Sequence, residues 1–198
     1  MAVADKDEHI KYTYKDYLSW ANDERWELID GVPYNMSSSP TRKHQKVVGE
    51  LFASIHNYLK GKTCEVYSAP FDVRLFAENV SDDDVTNLVQ PDIVIVCDPS
   101  KLDDKGCKGS PDMIIEVVSP STLKRDLKEK FYLYEKAGVK EYWIVFPDEK
   151  TVLSYYLGED GKYQRPEVYS EEDNIKVRIF ELLEIELKDI FQNKGQDF

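Results

Sequence analysis

Two stretches of the chain carry the apolar period of a helix, and most of the rest reads as short strands. Residues 42–60 place Val48, Leu51, Ile55 and Leu59 on one face, the spacing of an amphipathic helix. Thr41 caps that helix and Gly61 closes it. A second helix is expected at about 122–137, after a turn and cap at Ser119, Pro120, Ser121 and Thr122, with Gly138 ending it. A shorter helix at 12–20 has Thr13 as its cap and Asp16 in its first turn. Strands are expected at 26–30 and 32–36, a hairpin around Gly31, then at 64–68 and 71–76, where Pro70 marks a bend or an edge. Further strands follow at 92–97, 112–118, 141–146, 151–157, about 163–169 and 175–180, and a short closing helix or turn at 185–191. Residues 37–40, 77–88 and 99–110 read as loops. This order predicts an α/β fold, a mixed central sheet flanked by helices, in one domain over 1–198 with its core at about 12–191.

Composition narrows the class. The chain is 41% hydrophobic and 32% charged, an ordinary mixture for a folded domain. The N-terminus has no apolar run of the signal-peptide kind, and no stretch approaches the roughly 18 apolar residues of a membrane span. A cytoplasmic protein with no membrane partner is expected. Cys64, Cys97 and Cys107 match no zinc spacing and are expected as free thiols. The net charge of -12 repels polyanions and argues against tight nucleic-acid binding. Two local basic stretches run the other way: Arg42, Lys43, His44 and Lys46, and Lys124, Arg125, Lys128 and Lys130.

The chemistry concentrates in a few acids and one lysine. Glu116 lies among Ile114, Ile115, Val117 and Val118, and a carboxylate inside an apolar strand is costly unless paired or bound to a metal. Strand alternation puts Asp112, Ile114, Glu116 and Val118 on one face. The alternative is an edge strand with Glu116 facing solvent. Asp92, at the start of another apolar strand, gains meaning beside Glu116, since two acids on neighbouring strands offer oxygens to a hard divalent cation. With Leu123 at zero and about 100° per residue, Lys130 falls near -20°, inside a stripe of Leu127, Phe131, Tyr134 and Ala137. Such a lysine either snorkels from the core edge or points its ammonium at the carboxylates, with Asp126 one turn earlier able to hold it. His44 projects onto the apolar face of the first long helix at its open end, and Glu27 sits between apolar neighbours in its strand. Each is an accessory candidate beside a plainer reading, a cap or surface histidine and a strand glutamate.

These residues resemble the Uma-two family of restriction-endonuclease-like proteins, within the PD-(D/E)XK nuclease superfamily. The resemblance spans roughly residues 14–191 and rests on Glu27 to Gly31, His44-Gln45, Ala69-Pro70, Asp72-Val73-Arg74 and Gln90-Pro91-Asp92. It is most specific from Pro111-Asp112 through Glu116 to Thr122, and continues through Asp126, Lys130, Tyr134, Gly138 and Glu141 to Val145. It implies that Asp92 and the Glu116 of an E-x-K element bind metal. The lysine expected two residues after Glu116 is replaced by Val118, and the resemblance places it instead at Lys130. The expected function is a Mg²⁺- or Mn²⁺-dependent endonuclease acting on nucleic acid, with DNA the expected substrate, bound weakly and salt-dependently, and with a homodimer suited to duplex cutting. Catalysis is assigned to Asp92, Glu116 and Lys130, the metal to Asp92 and Glu116, and accessory roles to Glu27, His44 and Asp126. The other classes are a binding or assembly module that keeps the fold without catalysis, and an unrelated metal-dependent hydrolase of small molecules.

Overall fold

Local sequence signals set the helices. The computed structural model describes residues 10–20, 25–36, 39–120 and 122–192; Ser37 and Ser38 of the expected loop and Ser121 of the expected turn lie outside these. In chain order the elements are α1 (Tyr14–Ser19), β1 (Trp26–Ile29), β2 (Val32–Asn35), α2 (Arg42–Leu59), β3 (Glu65–Ser68), β4 (Val73–Arg74), β5 (Leu88–Val89) and β6 (Ile93–Val96). They continue with β7 (Leu102–Asp103), β8 (Gly106–Lys108), β9 (Met113–Val117), a π-helical segment (Arg125–Lys130) running into α3 (Phe131–Ala137), and β10 (Glu141–Phe146). The last are β11 (Thr151–Tyr156), β12 (Glu167–Ser170), β13 (Asn174–Lys176), β14 (Glu184–Glu186) and α4 (Leu187–Phe191). At α1 a reciprocal capping box forms, with the Asp16 carboxylate accepting the Thr13 N–H at 2.9 Å. At α2 the Thr41 hydroxyl accepts the His44 N–H at 3.2 Å.

The mixed sheet runs in the order β12-β11-β10-β9-β6-β3. β9 and β10 are parallel and joined by the helix between them, while the other neighbours are antiparallel. β9 therefore sits inside the sheet and buries both faces. Met113, Ile115 and Val117 pack with Val48, Leu51 and Ile55 of α2; Ile114 and Val118 pack on the other face with Tyr134, Tyr142 and Ile144. A second sheet, β2-β1-β5-β4-β8-β7, lies beside it and brings Glu27 into the structure's interior.

Several elements differ from the sequence expectation. The strand expected at 71–76 shortens to β4, the loop at 77–88 runs into β5 at its last residue, and the loop at 99–110 contains β7 and β8. Strands of two or three residues carry no readable period: β5 and β8 are created by partners far along the chain, and β7 by its short hairpin with β8. Gly106 shows how: a Cβ there would lie 2.2 Å from the Asp72 carbonyl oxygen, which accepts the Cys107 N–H at 2.8 Å. Only glycine lets β8 come so close to the chain before β4.

The cysteine expectation is corrected as well. Cys64 and Cys97 form a disulfide, leaving Cys107 as the buried free thiol. β3 and β6 pair with Glu65 opposite Val96, and that register continued by one step sets Cys64 opposite Cys97. Spacing along the sequence carries no trace of such a cross-strand pair.

Candidate active site

Asp92 and Glu116 are brought together by strand register. β6 pairs with β9 with Ile93 opposite Ile115, and one step further sets Asp92 opposite Glu116. The Val117 N–H donates to Asp92 Oδ2 at 2.8 Å, and His44 Nε2 lies 3.2 Å from the same oxygen. Glu116 is 4% exposed in the middle of the sheet, which removes the edge-strand reading. Its Oε1 accepts from Lys130 Nζ and from the Tyr134 hydroxyl, each at 2.8 Å.

Lys130 is 3% exposed and is held by acids. Its Nζ lies 2.7 Å from Glu27 Oε1, 2.8 Å from Glu116 Oε1 and 3.7 Å from Asp126 Oδ1. Glu27 in turn accepts the Gln90 N–H at 3.1 Å and lies 3.5 Å from Arg125 Nη1. Sequence reasoning missed three contributors: Tyr134, Arg125 and the backbone of Gln90. Tyr134 was legible, one turn beyond Lys130 on the same face; the other two depend on long-range pairing. The basic stretch on α2 is partly neutralised, since Lys43 pairs with Asp148 at 2.8 Å and Lys46 donates to the Gln192 carbonyl. Lys124 and Lys128 stay exposed.

Burial and charge compete throughout this cluster. Burial raises Glu116 to about 8 against the pull of the Lys130 ammonium. Burial likewise raises Asp126. Burial works against the Lys130 ammonium, but Glu116, Glu27 and Asp126 outweigh it and hold Lys130 above the ordinary lysine range. At His44 burial again opposes the charge, while Asp92 and the Val117 backbone outweigh it and raise the imidazole. With all four carboxyl groups (Glu27, Asp92, Glu116, Asp126) ionised and His44 neutral, they face two permanent cations (Arg125, Lys130), a surplus of two negative charges by subtraction. A divalent cation matches that surplus.

The donor set also fits an oxygen-loving cation. Among the described residues Asp92 Oδ1 and Glu116 Oε2 have no hydrogen-bond partner, so one oxygen of each carboxylate remains for a ligand. Among the described residues no group of three or more His, Cys, Asp or Glu side chains is arranged around one metal position. A cation here would rest on two carboxylates with backbone oxygen and water completing its shell, the sparse coordination that suits Mg²⁺.

A mixed sheet with helices packed on it, carrying an acid pair across two neighbouring strands and a lysine beside it, defines the restriction-endonuclease-like class of fold. Residues 14–188 match the Uma2 family, described as "Putative restriction endonuclease", and the chain belongs to that family. It is similar to an uncharacterized protein of Synechocystis, 26% identical over 156 residues, covering 77% of this chain and 78% of that one. Its fold is shared with a crystal structure from Anabaena variabilis, described as a "putative nuclease belonging to DUF820", at a TM-score of 0.71 and 20% identity over 90% of this chain and 97% of that one.

Proposed function

We propose that the protein is a divalent-metal-dependent endonuclease that hydrolyses phosphodiester bonds of nucleic acid, with DNA as its substrate. The observation that carries this reading is the carboxylate surplus around Lys130, with one open oxygen on each of Asp92 and Glu116. Asp92 and Glu116 would hold Mg²⁺ or Mn²⁺, which supplies Lewis-acid stabilisation of a phosphate and acidifies water. Glu116, Glu27 and Asp126 hold Lys130 above the ordinary lysine range against its burial, which favours an electrostatic role over that of general base. Its ammonium fixes Glu116 and Glu27 and offsets negative charge growing on the phosphate. Tyr134 and the Val117 N–H orient Glu116 and Asp92 respectively, so the acids keep their geometry without a bound ion. His44, beside Asp92, and Glu27 and Asp126, around Lys130, are assigned to positioning.

A cytoplasmic location and a homodimer presenting two sites to a duplex belong to the same proposal. No helix among the described residues is long and apolar enough to cross a membrane. A second reading, a binding module without catalysis, draws on the net charge of -12. The deciding experiment is cleavage of plasmid and single-stranded DNA with Mg²⁺ or Mn²⁺, run beside Glu116→Gln. Cleavage by the wild type that the variant loses supports the nuclease; intact DNA with both metals favours the binding module.

A further inference from the structure

A cavity of about 530 Å³ lies beside the carboxylate cluster, within the size range of ligand pockets. Gln90 joins the two. Its N–H donates to Glu27 Oε1, while its side chain lines the cavity. Pro70, on the cavity wall, follows Ala69, whose N–H donates to the Asp92 carbonyl at 3.1 Å. Gln90 and Asp92 are two residues apart in extended chain, roughly 7 Å.

The walls are aromatic and acidic, and their one lysine, Lys105, is paired with Asp82 at 3.1 Å. The rings of Tyr67 and Phe71 stack with centroids 4.2 Å apart and planes 6° apart. The Gln90 amide is fixed on every side: Oε1 accepts from Arg25 at 2.8 Å, and Nε2 donates to Asp72 Oδ1 at 2.7 Å and to the Tyr17 hydroxyl at 3.2 Å. Asp72 also accepts from the Tyr14 hydroxyl at 3.1 Å, and no lysine or arginine lies in ion-pair range of it among the described residues. Asp103 is tied to Arg74, whereas Asp104 stands exposed on the rim. Phosphate is repelled from such a surface. A flat neutral ring with hydrogen-bond donors on its edge matches it, because aromatic faces stack any base and a carboxylate accepts from an exocyclic amino group.

We propose that this cavity is a base subsite: it receives one unstacked, amino-bearing nucleobase of the strand whose phosphate lies at Asp92 and Glu116, with the ring against Tyr67 and Phe71 and the amino edge toward Asp72. The proposal rests on the nuclease reading and adds what that reading lacks, a reason for a strand to bind so acidic a protein. The phosphate meets the cation side of Gln90 and the base meets the acidic side. Extruding a base costs least in single-stranded or damaged nucleic acid, so the subsite favours those substrates over intact duplex.

The test is equilibrium binding of fluorescent octamers of deoxycytidine, deoxyadenosine, thymidine and abasic sugar to the wild type in Ca²⁺. The cytidine and adenosine strands are expected to bind about five- to a hundredfold tighter than the abasic strand, the range for one base on an aromatic ring. Phe71→Leu, which keeps apolar volume without a ring face, is expected to remove most of that excess and leave abasic binding unchanged. Asp72→Asn is expected to narrow the preference for cytidine over thymidine. Equal wild-type affinity for cytidine and abasic strands overturns the proposal, as does a Phe71→Leu variant of wild-type preference and unchanged melting temperature. Displacement of the cytidine octamer by micromolar free cytidine overturns the strand assignment in favour of a free-nucleoside site. Cleavage is scored separately: a wild type that cuts DNA without base dependence refutes only the subsite. One that binds with base dependence but never cuts refutes only the nuclease.

Discussion

Replacing Lys130 with methionine should destabilise the protein, and more so at high pH. The sequence pattern alone suggests that losing this lysine hurts chemistry more than folding. Its burial changes that, because Lys130 Nζ is the ammonium shared by Glu27 and Glu116, all three side chains being 6% exposed or less. Removing one partner of a buried ion pair costs about 3–5 kcal/mol. For a domain of this size that corresponds to a melting temperature lower by about 10 °C. Protonation of Glu116 relieves part of the cost, and this gives the effect its pH dependence. In the wild type burial raises the folded Glu116 to about 8, above the ordinary glutamate value of 4.5, so the folded protein holds a proton that the unfolded chain has released. That contribution is fully present below about 4.5 and is lost as pH rises through about 8. Without Lys130 the folded value moves higher, and the loss continues past 8 in the variant after it has ended in the wild type. Each further pH unit then widens the gap by up to about 1.4 kcal/mol. Thermal melts of metal-free wild type and Lys130→Met at pH 6 and pH 9 measure this. A gap of the same size at both pH values, or a variant that melts higher, would refute the reasoning.

Other expectations follow from the same geometry. Mn²⁺ affinity should rise between pH 6 and 9, because burial raises Glu116 to about 8, Asp92 and the Val117 backbone raise His44, and both must release protons near the bound ion; titration calorimetry showing no proton release would count against the site. Tyr134→Phe removes the hydroxyl from Glu116 Oε1 and should cost about 1.5–3 kcal/mol in a denaturant melt, with weaker Mn²⁺ binding. Reducing Cys64–Cys97 frees a loop closed across 33 residues and should cost about 3–4 kcal/mol, checked by melts with and without dithiothreitol and by Cys64→Ser. DNA affinity should fall steeply from 50 to 200 mM salt, since a net charge of -12 leaves only local cations to contact phosphate; tight binding at both concentrations would contradict this.

Long periodic elements were readable and short paired ones were not. The apolar face of α2, the caps at Thr13 and Thr41, and the two-sided burial of β9 follow from local pattern, because each is set within one or two turns or by alternation. β5 and β8, and the Cys64–Cys97 bond, depend on partners about 33 to 60 residues away, which no local period records, and β7 follows only as the short hairpin partner of β8. Glu27 was visible only as an acid among apolar neighbours. Its contact with Lys130 comes from the placing of the second sheet beside the first.

The helix that carries Lys130 shows how a correct position can follow from an incomplete geometry. A uniform 100° step puts Leu127 and Lys130 in one apolar stripe. Arg125–Lys130 is instead a π-helix, whose wider turn changes the angle per residue, and Leu127 emerges 40% exposed while Asp126 and Lys130 are both buried. A π turn gives up the tighter α-helical hydrogen bonds, and such turns recur at functional sites. Asp126 and Lys130, four residues apart, face inward together as they would on an α-helix, Leu127 is the residue turned outward, and α3 delivers Tyr134 to Glu116. The Tyr142 hydroxyl donates to the Asp126 carbonyl at 3.1 Å, tying that turn to β10. Val118, in turn, shares the face of Glu116 and is buried against the helix side. A lysine at 118 would come up from the strand; Lys130 comes down from the helix to the same carboxylate. The electrostatics of the site depend on where the ammonium lies, whichever element supplies it, and this chain supplies it from the helix that follows β9.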